Sequence, residues 1–203
     1  MVSAVRRKEI RDDLLLPAVD AALKALTRSG AQEAGEEGGT EEVLSPEKIL
    51  KAVHHYKTGI LFQSPWAVPS VLETLKAEKT QPVMEGLYHI GMGCQILDDL
   101  VDLQRDYLQK RHNYVVSLIY HQQGKDAWTR LKDITHPANS AQAVQSLMKQ
   151  FSEPLKMAVT RCREYLHSGI IALFGTSSPD LVQSVISILS HRIGTDAYLD
   201  NYP

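Results

Sequence analysis

Cysteine, aromatic rings and alternating β-branched runs are all scarce in this chain. Its 203 residues include only two cysteines, Cys94 and Cys162. Both fall in helical patterns, which argues for reduced, buried thiols and against a disulfide framework. Aromatics make up 6%, and Leu, Ala, Lys, Glu and Gln dominate, a composition that favours an all-α chain. The net charge of -2 excludes a global basic field for nucleic acid or an anionic membrane. No apolar run approaches the ~20 residues of a membrane span, so no transmembrane segment is expected. Met1 to Arg11 is charged and lacks the apolar centre of a signal peptide, so the reading is a cytoplasmic protein. No His-x-x-x-His or Cys-x-x-Cys pattern suggests zinc. Gly35 to Gly39 lacks the following Lys-Ser/Thr of a phosphate loop.

What is present is helical patterning over a length suited to a single domain, 1–203. A first helix is expected from about Ala4 to Ala25, with Pro17 as a kink or break. About 29–43 mixes glycines with glutamates, too polar and flexible to pack, and reads as a mobile loop. Ser45-Pro46-Glu47 starts a helix cleanly, with a cap, a first-turn proline and an acid at the positive dipole end. That helix is expected to stop before Pro65. A short helix from Pro69 to Lys79 follows, and Pro82 opens a long one. Further helices are expected over 113–123, over 125–135 and over 138–174 with a bend at Pro154. A last one follows Ser178-Pro179-Asp180, to about Ile193.

The long helix carries the most informative stretch, Gln95-Ile96-Leu97-Asp98-Asp99-Leu100-Val101-Asp102. At about 100° per residue, Gln95, Asp98, Asp99, Asp102 and Asp106 share one narrow arc. The rest of the circumference is apolar, as in an interior helix. Buried carboxylates are costly without partners, so something positive, most simply a divalent metal, should face them. Mg²⁺ suits such a stripe, because it takes oxygen ligands and shares them with substrate phosphate. Gly91 and Gly93 leave space there for a ligand or a close helix. On the helix that starts at Pro46, Lys57 falls at the edge of a stripe of Ile49, Leu50, Val53, Tyr56, Ile60 and Leu61. Its ammonium is placed to point at a diphosphate or to snorkel over apolar surface. The adjacent His54 and His55 diverge by about 100° and make a poor metal pair.

Tyr56-Lys57-Thr58-Gly59-Ile60-Leu61-Phe62, followed by Ile90-Gly91 and then Gln95 to Asp102, resembles the polyprenyl diphosphate synthase family of class I isoprenoid synthases. The resemblance covers roughly Ser45 to Tyr120. It implies an all-α bundle of the isoprenoid synthase type. Asp98, Asp99 and Asp102 would be Mg²⁺ ligands, and Lys57, Thr58 and Gln95 catalytic residues at the allylic diphosphate. Lys57, Gln95, Lys110 and Arg111 would bind substrate diphosphate. The implied reaction is Mg²⁺-dependent condensation of an allylic diphosphate with isopentenyl diphosphate. A homo- or hetero-oligomer is implied as well.

The family's first aspartate-rich motif has no counterpart here. Asp12-Asp13 lies too close to Lys57 to serve. The fold is therefore expected to be incomplete at its N-terminal side, and the chain inactive alone. It would be a fragment of a longer enzyme, a subunit whose partner supplies that motif, or a non-catalytic regulatory module; the intact second motif favours the first. The Lys110-Arg111-His112-Asn113 segment also keeps a squalene- or phytoene-synthase-like enzyme open. An all-α interaction scaffold is the alternative of another class, and would put the three aspartates outside.

Overall fold

The computed structural model describes residues 11–72, 77–133, 141–175 and 178–202, and among these every regular element is helical. Helix α1 is Asp12–Gly35. An α-helical turn, Pro46–Lys48, leads into a π-helical stretch, π1, Ile49–Gly59, and this runs straight on into α2, Ile60–Leu72. The central helix α3 is Ala77–Val101 and α4 is Leu103–Gln109. Helix α5 is Tyr114–Thr129, followed by a 3₁₀ turn, Arg130–Asp133. The long α6 is Ala141–Phe174, α7 is Pro179–Ile193 and α8 is Asp196–Asn201. The expected all-α class holds, and the fold is of the isoprenoid synthase type.

The core lies between α3, α5 and α6. Ile96, Leu97 and Leu100 of α3 are sealed against Leu118 and Ile119 of α5 and Leu155, Val159 and Leu166 of α6. Cys94 and Cys162 are free, buried thiols, as expected. Backbones come close where α3 crosses α6. A Cβ on Gly169 would stand 2.8 Å from Gly86 O and 2.9 Å from the Ile90 nitrogen. Gly91 and Gly93 serve the same purpose, since a Cβ on Gly91 would meet Phe62 and the Thr58 carbonyl and one on Gly93 would meet Leu166. The space the sequence suggested for a ligand or a helix is taken by helices.

Prolines break less than expected. Pro17, Pro65, Pro69 and Pro82 all lie inside helices. Each forfeits an intrahelical bond, but α2 packs along α1 and α3, and tertiary contact outweighs the local loss. Pro154 does act, though upstream of itself. The helix departs from α geometry at Phe151 (φ -130°, ψ 36°), in the turn whose carbonyls the proline ring crowds. The division expected between 123 and 125 is the Gly124 kink (φ 81°) inside α5. Thr135, His136 and Pro137 lie outside the described residues.

The expected loop at about 29–43 needs correction. Helix α1 continues through Gly30 to Gly35, because tertiary bonds hold what composition does not favour. The Ser29 hydroxyl donates to Lys57 O at 2.7 Å, and the Glu36 carboxylate accepts from the His112 backbone N–H at 3.2 Å. Beyond the helix, Thr40 N–H and Oγ1 both donate to Lys110 O, at 2.8 and 2.9 Å. Ser117 Oγ donates to Leu44 O at 2.6 Å.

The α3–α6 crossing is directly testable. Gly169→Ala is expected to lower unfolding free energy by about 1–3 kcal/mol, read from urea denaturation, because its new methyl meets backbone on α3.

Candidate active site

The helix bearing Lys57 is wound wider than an α-helix. Its cap shows the pattern, with Ile60 N–H donating to His55 O, five residues back. The buried positions of π1 are Ile49, Val53, His54, Thr58 and Gly59, a spacing of four to five. The apolar stripe projected at 3.6 residues per turn is therefore wrong at its middle, and Tyr56 is exposed while His54 is fully buried. π-Helical turns are rare and concentrate at functional sites. Here the wide winding gathers Ile49, Val53, His54, Thr58 and Gly59 on one buried face, from which His54 and Thr58 meet α3.

Two side chains of α3 meet them. Thr58 Oγ1 donates to Gln95 Oε1. Gln95 Nε2 donates to Asp99 Oδ1 at 3.0 Å. Asp99 is 1% exposed. Its Oδ2 accepts from Tyr114 N–H at 2.6 Å and lies 3.0 Å from His54 Nε2. Tyr114 opens α5, so the carboxylate also sits at the positive end of that helix dipole. Asn113 caps α5 by accepting from the Val115 and Val116 N–H groups. The same side chain donates to Asp99 O at 2.8 Å and to Asp106 Oδ2 at 3.0 Å. One residue thereby ties the start of α5 to both ends of the acidic stretch.

The stripe of acids is graded rather than uniformly interior. Asp98 is exposed, although its neighbours on α3 are buried. Asp102 breaks the helix between α3 and α4 (φ -88°, ψ 3°), and it is paired with Arg105. The apolar surroundings strip water from both carboxyls and raise their pKa values; for Asp98 the neighbouring Asp102 and Asp99 add to the rise. Asp106 is 5% exposed. Burial pushes it up to about 6 against the hydrogen bond from Asn113. Among the described residues, no three His, Cys, Asp or Glu side chains are already gathered to hold a metal ion. The charge facing Asp99 is met by protein groups, where the sequence suggested a cation. Asp98 and Asp102 are the carboxylates that remain accessible.

Lys57 Nζ lies 3.2 Å from Glu33 Oε1 at the end of α1. Burial pulls this ammonium down, but Glu33, Asp99 and Glu36 outweigh burial and the net direction is up. Lys57, Thr58, Gln95 and the aspartates are thus drawn into one neighbourhood by π1 and α3. Lys110 and Arg111 belong to a different wall. Lys110 ends α4 in the left-handed conformation (φ 54°). Both line a cavity of about 260 Å³ together with Leu44, Asp106, Asn113 and Trp128, and Lys57, Thr58 and Gln95 do not line it. Sequence reasoning missed His54, Asn113, Glu33 and Glu36. Asn113 carried a readable signal, since Asn before a helical run is a preferred cap. The other three depend on π1 and on the length of α1.

These features define an all-α protein with a lysine-threonine pair facing an aspartate-rich helix. The Polyprenyl synthetase family profile matches residues 19–162, a span that contains every candidate residue above, and the chain belongs to that family. No curated protein and no solved structure matches the chain.

Asp98 and Asp99 should behave oppositely when truncated. Asp99→Ala is expected to cost about 1–3 kcal/mol, because it leaves the buried Tyr114 N–H and Gln95 Nε2 without their acceptor. Asp98→Ala should stay within about 0.5 kcal/mol, as at surface sites. Guanidinium denaturation of the two variants measures both. Asp106 gives a pH signature. Its folded pKa lies above the ordinary value of 3.8, so the native state holds the proton more tightly than the unfolded chain. Its contribution is full below about pH 4 and is lost as pH rises through about 6. Asp106→Asn is expected to flatten the fall in stability over that window, by roughly 1–3 kcal/mol. Denaturation midpoints at pH 4 and pH 8 measure the difference.

Proposed function

We propose that this chain is a Mg²⁺-dependent prenyltransferase-type domain, of the kind that condenses an allylic diphosphate with isopentenyl diphosphate, and that without the first aspartate-rich motif it is inactive alone. The observation that carries the reading is the placement of Lys57 and Thr58 on π1 against Gln95 and the aspartates of the packed helix α3, joined by the Thr58–Gln95 hydrogen bond. Membership of the polyprenyl synthetase family supports it. No single helix among the described residues is long and apolar enough to cross a membrane. The cytoplasm is the proposed location, and a homo- or hetero-oligomer the proposed assembly.

The donor set fits the ion. Mg²⁺ usually binds through one or two carboxylates plus substrate phosphate, and Asp98 with the partly accessible Asp102 provides such a pair. Bound there, the metal would neutralise the charge of a departing diphosphate. Asp99 would act from behind, since its oxygens already take Tyr114 N–H and Gln95 Nε2; its role is to fix the helix that presents Asp98. Lys57 would hold the diphosphate as a compact, movable charge. Thr58 would keep Gln95 turned so that the amide NH₂ faces the carboxylates. Lys110 and Arg111, on the neighbouring cavity wall, would meet diphosphate as it enters.

The test is thermal unfolding with Mg²⁺ and inorganic pyrophosphate together, because a ligand that binds only the folded state raises its stability. A rise in melting temperature is expected for the wild type, and none for Asp98→Asn/Asp102→Asn. Prenyl transfer from an allylic diphosphate then separates an active domain from a binding module. A shift that survives the double substitution would overturn the assignment of these carboxylates.

A further inference from the structure

Helix α1 ends in a way that helix physics disfavours. Its last turn holds Glu33 and no basic residue, and Glu36 is its C-cap. Negative charge at a helix C-terminus opposes the macrodipole. Something outside the helix must therefore repay the placement. Lys57 does so, 3.2 Å from Glu33 and under the field of Glu36 as well. The two acids differ in freedom. Glu36 is 4% exposed and fixed by Gln32 Nε2 at 2.9 Å and His112 N–H at 3.2 Å. The Glu33 side chain is 46% exposed and makes its contact at the rim. The contact also has a hinge-like support, since Ser29 Oγ, one turn before Glu33, is bonded to Lys57 O itself.

The charge balance around the ammonium follows. Glu33, Glu36 and Asp99 act on Lys57, and Lys57 in turn acts on Asp98 and Asp102. An anionic ligand reaching this lysine meets a carboxylate already in the place its own oxygens would take. We propose that the acidic end of α1 is a built-in anion mimic, and that Glu33 occupies Lys57 until a diphosphate accompanied by a divalent cation displaces it. The inference rests on the reading of Lys57 as a diphosphate ligand. It adds a restraint on that ligand: opening the Lys57–Glu33 pair is part of binding. A pair whose carboxylate is open to water is weak, so it delays occupancy without preventing it.

Isothermal titration of inorganic pyrophosphate in the presence of Mg²⁺ tests the restraint on three proteins: the wild type, Glu33→Gln and Glu37→Gln. Glu37 is exposed just beyond the same helix end and controls for a general change of charge. The expected result is binding about two- to fivefold tighter for Glu33→Gln, with Glu37→Gln equal to the wild type. Equal affinities for all three would overturn the restraint and leave the diphosphate reading standing. Equal tightening by both substitutions would also overturn it, as a non-specific charge effect. Weaker binding by Glu33→Gln would make Glu33 a contributor to the ligand and overturn it. Absence of binding in all three would remove the diphosphate reading and the restraint with it.

Discussion

The arrangement depends on a carboxylate placed where water cannot reach it. Asp99 sits in the core of the α3 region, and an ionisable group there is tolerated only if other polar groups replace its hydration. Two segments do this by hydrogen bonding and a third packs against it. α3 brings Gln95 and the start of α5 brings the Tyr114 N–H, while π1 sets His54 Nε2 3.0 Å away. Because each contact constrains a different segment, one buried acid fixes their relative rotation. A hydrophobic contact of the same area would not discriminate among rotations in this way. The accessible carboxylate, Asp98, is positioned as a consequence, one residue along the same backbone.

Much of the fold was legible. The Ser45-Pro46-Glu47 start, the Gly124 division and the Ser178-Pro179-Asp180 start all appear where local chemistry puts them, although Ser178 makes no side-chain cap bond. These signals act through the nearest few residues and need no tertiary information. Boundaries that rested on proline or on glycine-rich composition were misplaced. Pro65 and Pro69 stay within α2, and α1 runs ten residues beyond Ala25, to Gly35. In each case a neighbouring helix supplies the stabilisation that local propensity withholds.

The site was legible in its donors and illegible in its partners. Gln95 and the aspartates could be placed on one arc because α3 winds regularly as far as Val101; Lys57 and Thr58, on π1, could be named only through the family resemblance. The same projection fails on π1, where one extra residue per turn shifts Tyr56 outward and His54 inward. Glu33 escapes local patterning, because the Gly/Glu-rich composition of 29–43 hides the last turns of α1. Lys110 and Arg111 look adjacent to the acids in sequence, yet the turn at the end of α4 sends them to a cavity that shares only Asp106 with the acidic stripe.

The wide winding of π1 also bears on how this stretch tolerates length changes. A π-helix closes each bond one residue later than an α-helix does. A gene that lost one codon between Ile49 and His54 could still encode an unbroken rod there, rewound more tightly. The tighter winding would take up the missing residue, whereas the same loss in an α-helix turns everything after it by about 100°. The rod would survive, but the wide winding that gathers Ile49, Val53, His54, Thr58 and Gly59 on one buried face would not. Loss of a single residue here is thus mild for the helix and severe for the face it presents.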